Sequence, residues 1–187
     1  VSQGCRESVF CARPSLDVEW VSSWAETVDY YEPECVIDAA RLMVEAAAEM
    51  PANANFRYDL VDITRQAVAE RARLVYNEIV AAYKAHDRKM FRHSTQRFLR
   101  LLLQQDRLLS SIPDFMVGRW IKQARSIATN AAEADHYEWN ARTQITVWGN
   151  RQAAEQGGLR EYAHKEWSGV LRDFYYPRWR MYFDALD

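Results

Sequence analysis

Two short patterns carry residue types that could bind a metal. "EADH" (Glu133–His136) and "EYAH" (Glu161–His164) both read Glu-x-x-His. On a helix, positions three apart share a face, so each pair would present a carboxylate and an imidazole to the same side. Two such pairs plus a glutamate from each of two further helices make a di-iron site in a helical bundle. Glu45, Glu70 and Glu78 are the available further glutamates. The competing reading is chance, because four histidines and many glutamates in a helical chain generate such pairs without a metal. Other chemistry is thinly represented. There is no Gly-rich phosphate loop, no H-E-x-x-H, no paired C-x-x-C and no G-x-S-x-G elbow. Paired carboxylates for glycoside hydrolysis must sit a few ångströms apart, and no two acids here are marked as such a pair.

The aromatics are the second resource. They make up 13% of the chain, with 7 Trp and 10 Tyr. A Trp or Tyr ring offers a broad apolar face and keeps one polar group at its edge. That combination suits the C–H faces and hydroxyls of a sugar. In "ARTQITVWGN" (Ala141–Asn150) a helical pattern gives way to β-branched residues, then Trp148, then Gly149. The pattern places Trp148 on a loop and assigns the turn to Gly149, where glycine tolerates the backbone. Tyr162 lies near the start of the next helical stretch. Loops on a rigid scaffold are where binding residues concentrate. Trp120, Trp139, Trp167 and Trp179 fall at helix-interior positions and read as core.

These residues must be held by helices. Glycine is only 6 and proline 5 in 187 residues, so the chain has few breakers. The expected architecture is all-α, an irregular bundle of seven or eight helices in one domain over 17–187, after an irregular lead-in at 1–16. Ser15 or Asp17 caps a first helix carrying Trp20, Val21 and Trp24. Pro33 opens a second, which runs to Pro51. A long helix from about Arg57 to Ala85 has Val61, Thr64, Val68, Ala72, Val75, Ile79 and Ala82 in one stripe and Leu60, Ile63, Ala67 and Leu74 in another, which implies burial on two sides. A further helix spans about Arg88 to Leu109. The next starts at Ser111 and Pro113, burying Met116, Trp120, Ala124 and Ile127. Asn130 with Glu133 makes a capping-box start. "NRQAAEQGG" reads as a loop. Helix resumes near Leu159 and ends at Tyr176, because the residue before proline disfavours helical φ/ψ. Pro177 opens the last one.

Charge is nearly balanced, Lys+Arg 24 against Asp+Glu 26. This leaves no basic footprint for nucleic acid. No apolar run reaches the ~20 residues of a membrane helix, and no signal peptide is visible. The start at Val1 rather than Met suggests a fragment or processed piece. Cys5, Cys11 and Cys35 are too few for a disulfide scaffold. A Cys5–Cys11 bridge, a thiol site and buried structural cysteines all remain open.

Several segments resemble a known family. "FRYDLVDITRQAVAE" (Phe56–Glu70), "RPSL" (Arg13–Leu16), "EADHYEWNARTQITVWG" (Glu133–Gly149) and "REYAHKEWSGVLRDFYYPRW" (Arg160–Trp179) are similar to the C-terminal helical domain of α-N-acetylglucosaminidases, glycoside hydrolase family 89. The resemblance runs in order from about Arg13 to the end. It implies a domain that packs on a (β/α)8-type catalytic barrel in a retaining, exo-acting enzyme that removes terminal α-linked N-acetylglucosamine. The two catalytic glutamates would belong to the barrel. No segment here resembles the parts that carry them, so this chain alone is expected to be catalytically silent and to need no cofactor.

The resemblance further implies that Trp148, Leu159 and Tyr162 line one side of the sugar pocket. It implies a lysosomal location, with heparan sulfate as substrate, for animal members, and an extracellular or periplasmic one, with host glycans, for bacterial members. The family does not require histidine at His136 or His164. Two departures stand out. The loop between Trp148 and Leu159 is longer than in animal relatives, and the chain stops at Asp187 where relatives continue. Expressed alone, the barrel-facing surface would be exposed and favour self-association.

Overall fold

A computed structural model of the chain describes residues 8–18, 21, 31–50, 53–155 and 161–187, with backbone alone at 154 and 155. Among these are seven α-helices: α1 Pro33–Ala46, α2 Ala54–Lys84, α3 Arg88–Leu109, α4 Val117–Ser126, α5 Ala131–Gln144, α6 Arg151–Glu155 and α7 Tyr176–Leu186. The described residues contain no strand, only one isolated parallel bridge between Met116 and Ser168. The all-α bundle expected from the scarcity of breakers is what the chain forms. The helix expected to begin at Ser15 or Asp17 and to carry Trp20 and Trp24 lies mostly outside the described residues.

The scaffold is an antiparallel pair, α2 and α3. Each begins at a side-chain cap. Asn53 Oδ1 accepts from the N–H of Phe56, and Asp87 Oδ1 accepts from that of Met90, which satisfies amides that a helix start leaves without partners. His86 adopts φ +55° between them, and the Asp87 N–H returns to the Ala82 carbonyl. This left-handed closure reverses the chain in a few residues. The first stripe on α2 is the buried one, with Val75 and Ile79 fully enclosed. The second is half-buried, and α1 packs on α2.

α3 supplies Phe98, Leu102 and Leu109 to the core, and α7 supplies Trp179 and Phe183. Phe98 meets Trp179 edge-on with ring centres 4.9 Å apart, a favoured aromatic geometry. The described part of the lead-in, residues 8–16, is irregular apart from a short 3-10 turn at Val9–Cys11. It is nonetheless part of the core, since Val9, Phe10, Cys11 and Ala12 are all buried. Tyr76 fastens the segment by donating to the Ser15 carbonyl and accepting from the Val18 N–H, both at 3.0 Å.

Four expectations are corrected. First, the helix expected from near Leu159 to Tyr176 is turn and irregular chain over 161–169, is helical only from Val170, and does not stop before Pro177. Leu171–Tyr175 forms a π-helical turn, and the Tyr176 N–H reaches the Leu171 carbonyl five residues back. Proline lacks an N–H and crowds the preceding turn; the wider turn accommodates it and the helix continues. Second, α4 buries Ile121 rather than Met116 and Ile127, which are exposed. Both flank α4, which runs Val117–Ser126, so helical periodicity does not carry them onto its buried face. Third, "NRQAAEQGG" contains α6, capped by Asn150 Oδ1 accepting from the Ala153 N–H at 2.8 Å. Fourth, Trp139 is not core. It is 62% exposed on α5, because α5 packs mainly on α4 and leaves its other side open. Trp179 is fully buried, and Trp120 and Trp167 are half-buried.

Candidate functional site

The site is built where α5 ends. Thr143 is the hub: its carbonyl accepts from the N–H of Trp148 at 2.8 Å and from that of Thr146 at 3.3 Å. Closing a helix in this way needs one residue in the left-handed region. That residue is Trp148, with φ +66°. Gly149, to which the sequence pattern assigns the turn, is not among the positive-φ residues. Its lack of a side chain serves a different need, since a Cβ there would lie 3.2 Å from Ala153 Cβ on α6. A non-glycine residue in this conformation costs about 1–2 kcal/mol. Such strain persists where the surrounding structure enforces it, commonly at sites that bind or react.

Tyr162 comes from the segment before α7. Its ring centre lies 4.5 Å from that of Trp148, with the planes inclined at 45°. Both side chains are half-buried. The two thus form one aromatic corner, assembled from positions separated by the α6 loop. Leu159, the third residue implied by the resemblance, lies outside the described residues.

The backbone around Tyr162 is unusual. Glu161 has φ +55° and His164 φ +30°, and the His164 N–H closes a tight turn on the Glu161 carbonyl at 3.0 Å. Glu161 is buried, and its Oε1 sits 2.7 Å from Arg178 Nη1 on α7. The Arg178 guanidinium lies 4.8 Å from the ring centre of Phe174. Removing one member of a buried ion pair strands the other charge, at about 3–5 kcal/mol. Arg178 did not stand out in the sequence, and Glu161 did so only as half of a Glu-x-x-His pattern, with no sign that its partner is an arginine on α7.

A cleft of about 770 Å3 runs along α4 and α5 to the same loop, with Trp120, Ile127, Trp139 and Trp148 among its walls and the side-chain amides of Asn140 and Asn150 at its rim. Trp120 is committed to structure, since its indole N–H donates to the Ala141 carbonyl at 3.0 Å. Tyr162 is not part of this cleft, so Trp148 stands between two surfaces.

The segment leading to α7 is held by a buried carboxylate. Asp106 on α3 accepts from the N–H groups of Gly169 at 2.6 Å and Arg172 at 3.3 Å, and so caps the final helix from another element. Gly169 adopts φ +92°, and a Cβ on it would fall 2.6 Å from Val117 Cγ1. Beside it, Glu166 pairs with Arg65 at 2.8 Å. Burial pushes the Tyr175 hydroxyl well above its ordinary range, with neighbouring Cys11 adding to the effect. Cys11 is buried and Cys35 exposed; Cys5 lies outside the described residues.

The two Glu-x-x-His patterns do not converge. Glu133 works at the start of α5, where its carboxylate accepts from the Thr129 N–H at 2.5 Å and the Tyr137 hydroxyl at 2.8 Å; these bonds hold it below its usual range. His136 stacks on Trp139. Glu161 and His164 are not on a helix at all, so the shared-face argument fails for them. Among the described residues, no group of three or more His, Cys, Asp or Glu side chains could hold a metal ion, Glu45, Glu70 and Glu78 included.

Comparison with known proteins decides the family. The alpha-N-acetylglucosaminidase C-terminal domain model matches residues 1–187. The chain belongs to that family. It is 37% identical over 185 residues to human alpha-N-acetylglucosaminidase, covering 98% of this chain and 23% of that protein. Its fold is similar to a family 89 glycoside hydrolase from Clostridium perfringens in complex with PUGNAc, with a TM-score of 0.96, 32% identity and coverage of 100% of this chain and 21% of that one. A structure of that enzyme in complex with its substrate GlcNAc-alpha-1,4-galactose gives a TM-score of 0.95 at 33% identity, over 99% of this chain and 21% of the other. The chain therefore spans about a fifth of the length of these relatives. No helix among the described residues is long and apolar enough to cross a membrane.

Proposed function

We propose that this chain is the C-terminal domain of an exo-acting, retaining α-N-acetylglucosaminidase, in which it packs on the catalytic barrel and lines one side of the sugar pocket. The observation that carries the reading is the Trp148–Tyr162 corner, held half-open at 4.5 Å on a strained backbone. Its support comes from the relatives, one of them bound to a disaccharide ending in GlcNAc. In retaining hydrolysis, two carboxyl groups about 5–5.5 Å apart act as acid/base and nucleophile, through an oxocarbenium-like transition state. Both would come from the barrel, and this chain alone would be silent. Its work would be positioning. Trp148 would cover an apolar face of the sugar, Tyr162 would add a ring edge and a hydroxyl, and Leu159 would close the apolar side. The isolated chain, with its barrel-facing surface bare, would self-associate.

The test is Trp148→Gly in the full-length protein that carries this domain. Glycine relieves left-handed strain of about 1–2 kcal/mol and gives up a ring contact worth about 0.5–1.5 kcal/mol. Lost burial of the half-buried indole adds about 1–2 kcal/mol, so stability should fall by no more than about 2–3 kcal/mol, while kcat/KM on an aryl α-N-acetylglucosaminide falls on the order of 100-fold, as misplacement of a bound substrate by about 1 Å can do. Near-normal kinetics would remove Trp148 from the pocket.

A further inference from the structure

We propose that Glu161 and Arg178 are positioning residues that set the Tyr162 ring against Trp148, an inference that rests on reading those two rings as sugar contacts. Tyr162 sits in a stretch with little regular structure to orient it. Between the described start at Glu161 and the final helical run, the backbone is a tight turn followed by irregular chain. Two of its residues, Glu161 and His164, hold left-handed conformations that side chains disfavour. Something outside the turn must keep it in that shape. The Glu161 side chain is one attachment, since it is buried and meets Arg178 at 2.7 Å.

Arg178 is itself fixed. It lies on α7 next to Trp179, which is fully buried and bonded to the Phe10 carbonyl. Its guanidinium rests against Phe174 and Tyr175, 4.8 and 5.9 Å from their ring centres. A rigid core helix therefore holds a guanidinium, its charge holds the Glu161 carboxylate through the Nη1–Oε1 contact, and Tyr162 is the next residue along the chain. Consecutive Cα atoms are only about 3.8 Å apart, so fixing Glu161 leaves Tyr162 little freedom beyond its own rotamer. Both charges are largely desolvated, and neither is easily accommodated without the other.

The experiment uses the full-length protein with an aryl α-N-acetylglucosaminide, comparing Glu161→Gln, Tyr162→Ala and the double variant, each normalised to its folded fraction. Acting through Tyr162, Glu161→Gln should lower kcat/KM by about fivefold or more in the parent and less than about twofold in the Tyr162→Ala background, the non-additivity expected of coupled neighbours. Arg178→Lys keeps the charge and loses the planar guanidinium that packs on Phe174 and Tyr175, so it supplies the same comparison should Glu161→Gln fail to fold. A crystal structure of either variant gives a readout independent of activity. Displacement of the Tyr162 ring from its 4.5 Å contact with Trp148 is expected. An unchanged contact overturns the positioning role, as do equal losses in the two backgrounds. A neutral Tyr162→Ala variant overturns instead the reading of the corner as a sugar contact.

Discussion

The indole N–H of Trp179 donates to the carbonyl of Phe10 at 3.1 Å, joining residues 169 positions apart. The last helix is thus tied to the first described segment, and both meet over Phe98. Trp179→Phe would leave the Phe10 carbonyl buried without its donor and open a small cavity. An unmet buried polar group and lost core volume each cost on the order of 1–3 kcal/mol. We expect a loss of about 2–4 kcal/mol in denaturant unfolding. A loss under about 0.5 kcal/mol would mean that the lead-in is not part of the cooperative core.

Gly169 is where the approach to α7 passes α4. Alanine there would be strained at φ +92° and would meet Val117 Cγ1 at 2.6 Å. Overpacking typically costs about 1–3 kcal/mol, and the left-handed backbone adds about 1–2 kcal/mol. Gly169→Ala should therefore destabilise by roughly 2–5 kcal/mol. Val117→Ala removes the clashing methyl, so the double variant should lose less than the two single losses added together. Strict additivity in thermal unfolding would argue against the close approach.

Glu133 makes a pH prediction. Hydrogen bonds from the Thr129 N–H, Tyr137 and the Thr129 hydroxyl hold its carboxyl below the usual glutamate range. A group whose folded pKa is depressed stabilises the fold above its unfolded pKa, and that contribution disappears as pH falls through the folded value. The stabilisation should therefore be complete at neutral pH and shrink as the pH falls below the ordinary glutamate pKa and through the lowered one. Glu133→Gln should be less stable than the parent at pH 7, and the difference should narrow in acid. A difference that is constant with pH would show that the carboxylate charge plays no part in the cap.

Much of this architecture is legible in the residues, and the misreadings have physical causes. The helix over Arg88–Leu109 is bounded by an aspartate cap and a regular apolar spacing, both local signals, and it was read to its ends. The two stripes on α2 are likewise legible, and the structure makes the first mostly buried and the second half-buried. Pro177 misled because a proline's effect depends on the hydrogen-bond pattern of the turn before it, and a π turn leaves no composition mark. Trp139 misled because periodicity locates a face without saying whether anything covers it. Gly149 misled because glycine is the expected left-handed residue, and here tryptophan takes that conformation instead. Trp148 and Tyr162 could be singled out, but not their contact, which depends on the Glu161–Arg178 pair that no local pattern announces.

The most direct measurement is a crystal structure of the full-length protein with 2-acetamido-1,2-dideoxynojirimycin, a compound already bound to the Clostridium perfringens relative. The proposed function predicts ligand carbon atoms within about 4–4.5 Å of the Trp148 indole or the Tyr162 ring, the range of apolar contact. A ligand bound with neither ring within that range would contradict it.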